Sequence, residues 1–168
     1  IGNYAFYKCS SLSSVKNQNG VLKRFGDYVF SDCSNLMSLE IPESDSYFGD
    51  YAFLNCYRLV EIIDKSPSKI NYTSSIAEYA LEIHDGLTKI AKQDDYLFYT
   101  CRDKYYLIGY AGEDTQLTLP ESFDGERYEI NSYAFYECRN LTSVVIPDTV
   151  RTMGDYAFFG CSNLTSVT

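Results

Sequence analysis

Five stretches of this chain overlay one another residue for residue, and that self-similarity limits the fold more than any other property. INSYAFYECRNLTSVVIP at 130–147 matches MGDYAFFGCSNLTSV at 153–167, IGNYAFYKCSSLSSV at 1–15, FGDYVFSDCSNLMSLEIP at 25–42 and FGDYAFLNCYRLVEI at 48–62. Each copy carries a Phe (6, 30, 53, 135, 158), a Cys (9, 33, 56, 138, 161) and a Leu (12, 36, 59, 141, 164). An apolar residue follows three later: Val15, Leu39, Ile62, Val144 and Val167. Adjacent copies lie 23 or 24 residues apart. A unit this short cannot bury its own apolar side, so the copies must stack.

The pattern within one copy sets out a coil. Ala5, Cys9 and Leu12 fall at i, i+4 and i+7, a spacing that predicts a helical stripe of about two turns. Asn3, Asp27, Asp50, Ser132 and Asp155 stand just ahead of that stripe. They are residue types that cap helix N-termini, and are read as N-caps. Alternation in Leu39-x-Ile41 and Val144-x-Ile146 predicts a short strand, stopped by Pro42 and Pro147. The fold class expected is α/β: a leucine-rich-repeat solenoid with a parallel sheet on one face and short helical turns on the other. Between Cys56 and Cys138 no full copy appears. Residues 64–75 read as a loop and 76–81 as a degenerate copy. Two aromatic runs, 96–99 and 105–110, flank Cys101-Arg102-Asp103-Lys104 and predict a β-hairpin insertion. The expected organisation is one domain, 1–168. Regular repeats occupy 1–63 and 130–168, an irregular repeat with the hairpin occupies 64–129, and the whole is a fragment of a longer protein.

Charge and chemistry exclude several functions. The net charge of −9 is wrong for neutralising phosphates, so no nucleic acid is expected as a partner. No apolar run of 18 residues exists, so no membrane insertion is expected from this segment. The five repeat cysteines, Cys9, Cys33, Cys56, Cys138 and Cys161, lie on the apolar stripe and read as a buried thiol ladder. Translation along the stack gives parallel side chains, whereas a disulfide needs converging ones. Zinc would need four convergent ligands, so no metal and no cofactor are expected. Cys101, at the hairpin turn, is the thiol expected to be exposed. His84 is the only histidine, and no nucleophile motif frames it; no catalytic residue and no enzyme activity are expected. A tyrosine follows each N-cap position (4, 28, 51, 133, 156) and reads as packing with its hydroxyl in water.

The sheet face is the stronger binding candidate. Strand alternation turns Ser38, Glu40, Glu61, Ile63, Gln116, Thr118, Ser143 and Val145 outward, in a small, polar, mildly acidic ridge suited to an extended protein or glycan partner. Exposed coil ends lead to an expectation of end-to-end self-association. The phrase Met-Gly-Asp-Tyr-Ala-Phe-x-x-Cys-x-x-Leu-Thr-Ser-Val at 153–167 resembles the BspA-like leucine-rich-repeat family of bacterial surface and secreted proteins. The Tyr106–Ser122 region is similar to the irregular unit between such repeats. The resemblance implies an extracellular or cell-surface location and a non-catalytic interaction or adhesion module of a bacterial surface protein. The alternative is a structural spacer in a larger modular protein whose function lies elsewhere.

Overall fold

In the computed structural model, residues 1–17, 21–44, 46–68 and 78–168 are described. They form two compact units, Ile1–Thr88 and Lys89–Thr168. The expected loop at 64–75 and the degenerate copy at 76–81 fall partly outside the described residues.

In the first unit, β1 (Ser14–Lys16), β3 (Ser38–Ile41), β5 (Glu61–Asp64) and β6 (Glu82–His84) form a parallel sheet in that order. Val15, Leu39, Ile62 and Ile83 share one register column. A second parallel pair, β2 (Arg24–Phe25) with β4 (Tyr47–Phe48), precedes each Gly-Asp. In the second unit, β10 (Gln116–Thr118), β12 (Ser143–Val145) and β13 (Ser166–Val167) repeat the first arrangement, again in parallel. Each unit carries leucine-rich-repeat β-solenoid coils built on parallel sheets.

The hairpin is larger than the sequence suggested. β8 (Tyr96–Cys101) and β9 (Lys104–Tyr110) pair antiparallel around Arg102 and Asp103, both left-handed at φ 49° and 60°. That is the mirror-image turn whose twist matches a hairpin. β7 (Ile90–Gln93) adds a further antiparallel strand to β8, and β11 (Glu129–Ile130) pairs parallel with β9. The hairpin therefore merges with the repeat frame through β11. Phe98 stacks on Phe123 at 4.3 Å between ring centres, and buried Tyr128 donates its hydroxyl to the Pro120 carbonyl at 2.7 Å.

The expected helical turns are overturned: no helix forms among the described residues. The stripe Ala5–Cys9–Leu12 is a run of tight turns, with Tyr7, Cys9 and Leu12 amides donating three residues back to Tyr4, Phe6 and Cys9. Interleaved amides point to the next coil instead: Tyr4 to Asp27, Phe6 to Val29 and Lys8 to Ser31. The same set recurs as Tyr28 to Asp50, Phe30 to Ala52 and Asp32 to Leu54. The physical reason is spacing. Phe6, Phe30 and Phe53 stack at 5.2 and 5.3 Å between ring centres, close to the ~4.8 Å between strands. Helices pack no closer than about 8 Å axis to axis. Coils at strand spacing have no room for them, and a three-residue turn repeat places apolar residues at nearly the same sequence intervals.

The N-cap assignment falls with the helices. Asn3 Oδ1 accepts from the Asp27 amide at 3.0 Å, and Asp27 Oδ1 from the Asp50 amide at 3.0 Å. Asn3, Asp27 and their counterparts Asp50, Ser132 and Asp155 thus precede turns, and the first two link coil to coil rather than capping their own. The glycine before each Asp makes room for this. A β-carbon on Gly49 would collide with the Asp27 side chain and backbone, and one on Gly26 with Asn3. A β-carbon on Gly2 meets nothing within 4 Å. Replacing Gly49 by Ala should therefore destabilise the first unit by about 1–3 kcal/mol, the usual cost of forced overpacking. Gly2→Ala should shift the denaturant midpoint little, and equal shifts for the two variants would contradict this packing.

Candidate interaction face

The two sheet faces differ. In the first unit, register aligns Ser14, Ser38, Glu61 and Glu82 in one outward column and Lys16, Glu40, Ile63 and His84 in the next. Glu40 is held by Lys65 at 2.8 Å and approached by Lys16 at 3.9 Å. Glu61 and Ile63 were expected to face solvent, but both are buried. His84, at the end of β6, and Thr88 beyond it close on Glu61. His84 Nε2 lies 3.1 Å from Glu61 Oε1, and Thr88 Oγ1 donates to Glu61 Oε2 at 2.7 Å. The Gly86 amide donates to His84 Nδ1 at 3.1 Å. Since Nδ1 accepts, Nε2 is the nitrogen that carries hydrogen, and both ring nitrogens are engaged. Residues 84–88 thus strap down this end of the face. The run Leu59-Val60-Glu61-Ile62-Ile63 carries the missed signal: it does not alternate, as a strand covered on both sides does not.

In the second unit the outward columns are Gln116, Ser143 and Ser166, then Thr118 and Val145. Gln116, Thr118, Val145 and Ser166 are exposed and Ser143 is half-buried. Inward, Leu117 and Val144 are buried. Thr142 and Thr165 donate their hydroxyls to the Thr115 and Thr142 carbonyls at 2.9 and 3.0 Å, tying the rim of the sheet coil to coil. This face is uncharged and open, and it is the part of the expected ridge that the structure leaves accessible. Ser38 and Glu40 stay half-buried on the first unit's face.

The cysteines divide by environment. Cys33, Cys56 and Cys161 are buried, and each thiol donates to the phenylalanine carbonyl of the preceding coil: Phe6 at 3.1 Å, Phe30 at 3.2 Å and Phe135 at 3.1 Å. Cysteine suits this position because it packs as a small apolar side chain yet gives a second hydrogen bond to a carbonyl that already accepts a turn amide. Two members depart from the expected buried ladder: Cys9 is exposed and Cys138 half-buried. No described coil lies before Cys9, and the Phe98–Cys101 motif ahead of Cys138 is extended in β8 instead of forming a turn. Cys101, expected to be exposed, is buried at the end of β8. Among the described residues, no group of three or more His, Cys, Asp or Glu is placed to hold a metal ion.

The tyrosine column stacks face to face: Tyr4 on Tyr28 at 5.0 Å and 2°, Tyr28 on Tyr51 at 5.2 Å and 22°, Tyr133 on Tyr156 at 5.3 Å and 13°. A sugar stacks on an open ring face. Within this column Tyr28 has both faces covered by its neighbours, and each of the other four rings has one face covered.

Stacked coils with parallel sheets, Phe and Cys columns within and a polar sheet face without define a leucine-rich-repeat protein. The chain belongs to the BspA type leucine rich repeat region family, whose model matches six copies over residues 1–104 and 116–168. Similar solved structures include a leucine rich cell surface protein of Faecalibacterium prausnitzii A2-165. It is 24% identical over 99% of this chain and 44% of its own, with a TM-score of 0.48. A leucine-rich repeat protein of Bacteroides capillosus is 29% identical over 48% of this chain and 64% of its own, with a TM-score of 0.42. The chain thus spans less than two thirds of either protein. No curated protein matches it.

Burial pushes the Cys33 and Cys161 thiols up to about 11, against the lowering effect of the preceding cysteine's amide, and raises Cys56 further. Each raised thiol stabilises the fold below the unfolded value of 9.0; the Cys33 and Cys161 contributions are lost as pH rises through about 11, and the Cys56 contribution is lost higher still. Stability should therefore fall between those pH values, less steeply in Cys56→Ala. In the native chain at pH 8, a thiol reagent should modify Cys9 at least ~100-fold faster than Cys33, since the thiolate is the nucleophile. Comparable rates would contradict the burial.

Proposed function

We propose that the chain is a non-catalytic, extracellular protein-interaction or adhesion module of a bacterial surface protein. It binds a protein or glycan through the open sheet face of the second unit. The observation that carries this reading is the contrast between the faces. Gln116, Thr118, Ser143, Val145 and Ser166 present hydroxyls, an amide and one wholly apolar side chain with no charge among them, and nothing in their own unit folds over them. The corresponding face of the first unit is tied up by Lys16, Glu40 and Lys65 and strapped by His84 and Thr88. Val145, 44% exposed, supplies the apolar contact at its centre. Family membership supports the repeat as an interaction surface, and the surface location follows the naming of the Faecalibacterium protein as a cell surface protein.

Immobilised chain should capture a ligand from a panel of host extracellular proteins and glycans. An uncharged face gives binding that is weakly dependent on ionic strength, because there is little Coulomb attraction to screen. Ser143→Arg should weaken that binding at least ~10-fold by placing a bulky charge on the face, while Lys16→Ala leaves it unchanged. Absence of binding across the panel, or equal binding by the Ser143 variant, would favour the spacer role.

A further inference from the structure

The tyrosine column combines three properties that are not needed for packing alone. Its members share one backbone state: Tyr4, Tyr28, Tyr51, Tyr133 and Tyr156 all lie at φ between 54° and 60°. Each side chain therefore leaves the coil in the same direction. The rings sit about one coil apart, 5.0–5.3 Å between centres. They are also reachable, with Tyr4, Tyr51 and Tyr156 more than half exposed. The parallel phenylalanine column, Phe6–Phe30–Phe53, meets the same spacing without a phenol, with Phe30 and Phe53 inside the core.

We propose that this column is a modification site at which adjacent coils become joined by dityrosine bonds when the protein meets a peroxide and a haem peroxidase. The peroxidase takes one electron and one proton from each of two neighbouring phenols. The two phenoxyl radicals couple, forming one carbon–carbon bond between ring positions ortho to the oxygens. Each of those carbons then loses its hydrogen to the phenoxyl oxygen through solvent, restoring two phenols. Per link, one hydrogen peroxide is reduced to two waters, and the chain loses two hydrogens. Parallel rings must swing partly out of overlap to couple, and exposed side chains change rotamer in picoseconds to nanoseconds. Holding the partners about 5 Å apart gives each a high effective concentration of the other, which favours links within one molecule. Tyr28 also feels its column directly: burial first, then the charges of Tyr4 and Tyr51, raise its phenol above the usual value.

Such links would join coils covalently on the solvent side, where the thiol ladder cannot. The Cys33, Cys56 and Cys161 thiols are buried and donate to backbone carbonyls. The proposal does not depend on the binding role of the sheet face.

The test is to treat the 168-residue chain, at micromolar dilution, with a haem peroxidase and limiting hydrogen peroxide. Dityrosine fluorescence and tryptic mass mapping are then read. The expected product is a monomer in which peptide 1–8 is joined to 25–58, and peptide 128–139 to 152–168, whose only tyrosine is Tyr156. Fragment ions should place the second link on Tyr133. Tyr28→Phe preserves the stacked ring but removes the phenol. It should lower the first link at least ~10-fold and leave the second, while Tyr47→Phe changes neither. The proposal is overturned by an absence of dityrosine, by links only between molecules, or by links within a coil between Tyr4 and Tyr7 or Tyr133 and Tyr136. A first link that survives in Tyr28→Phe overturns it equally.

Discussion

The backbone bond from one turn to the next coil is the constraint on which the rest depends. Tyr4, Phe6 and Lys8 donate to Asp27, Val29 and Ser31, and the series repeats one coil later. These bonds hold the side opposite the sheet at the same spacing as the sheet itself. Once that spacing is set, every repeated side chain meets its own kind. Phenylalanines stack in the core, tyrosines stack at the surface, and cysteine thiols reach the carbonyl of the coil before. The Asp27 carboxylate receives the Asp50 amide, and only glycine at position 49 tolerates its approach. A buried polar backbone that lacks a partner is costly, and here the next coil supplies it.

Much of this fold was legible in the sequence because translation along a stack copies residue types. The columns of Phe, Cys and Leu, the strand register, and the hairpin around Arg102–Asp103 could all be read directly. The helical turns could not be separated from tight turns by periodicity. Ala5, Cys9 and Leu12 occur at helical intervals, yet the Cys9 and Leu12 amides bond three residues back and the Tyr4, Phe6 and Lys8 amides bond to the next coil. The deciding quantity is the distance between coils, which no single repeat encodes. β7 was missed because Ile90-Ala91-Lys92-Gln93 lacks both alternation and aromatic content.

The proposed interaction face was half legible. Alternation placed Gln116, Thr118, Ser143 and Val145 on one side of their strands, and the parallel register groups them there. Glu61 and Ile63 obey the same alternation, yet both are buried, and Glu61 is held by side chains 23 and 27 residues further along. Contacts at that separation depend on where the chain turns back, and the local pattern is silent on it. Polarity misled as well. A glutamate in a strand suggests solvent, whereas Glu61 is buried and satisfied by an imidazole and a hydroxyl. The six-copy family match spans residues 1–104 and 116–168, so both faces lie within matched repeats and differ through particular side chains such as Lys65, His84 and Thr88.

The central claim is that the turns bond across coils and do not form helices. The most direct measurement is the scalar coupling carried through the hydrogen bond of the Phe30 amide, observed by NMR on isotopically labelled protein. The account predicts a correlation from the Phe30 nitrogen to the carbonyl carbon of Ala52, matching the 2.9 Å bond between them. A correlation to the carbonyl of Gly26, four residues back as in an α-helix, would contradict it.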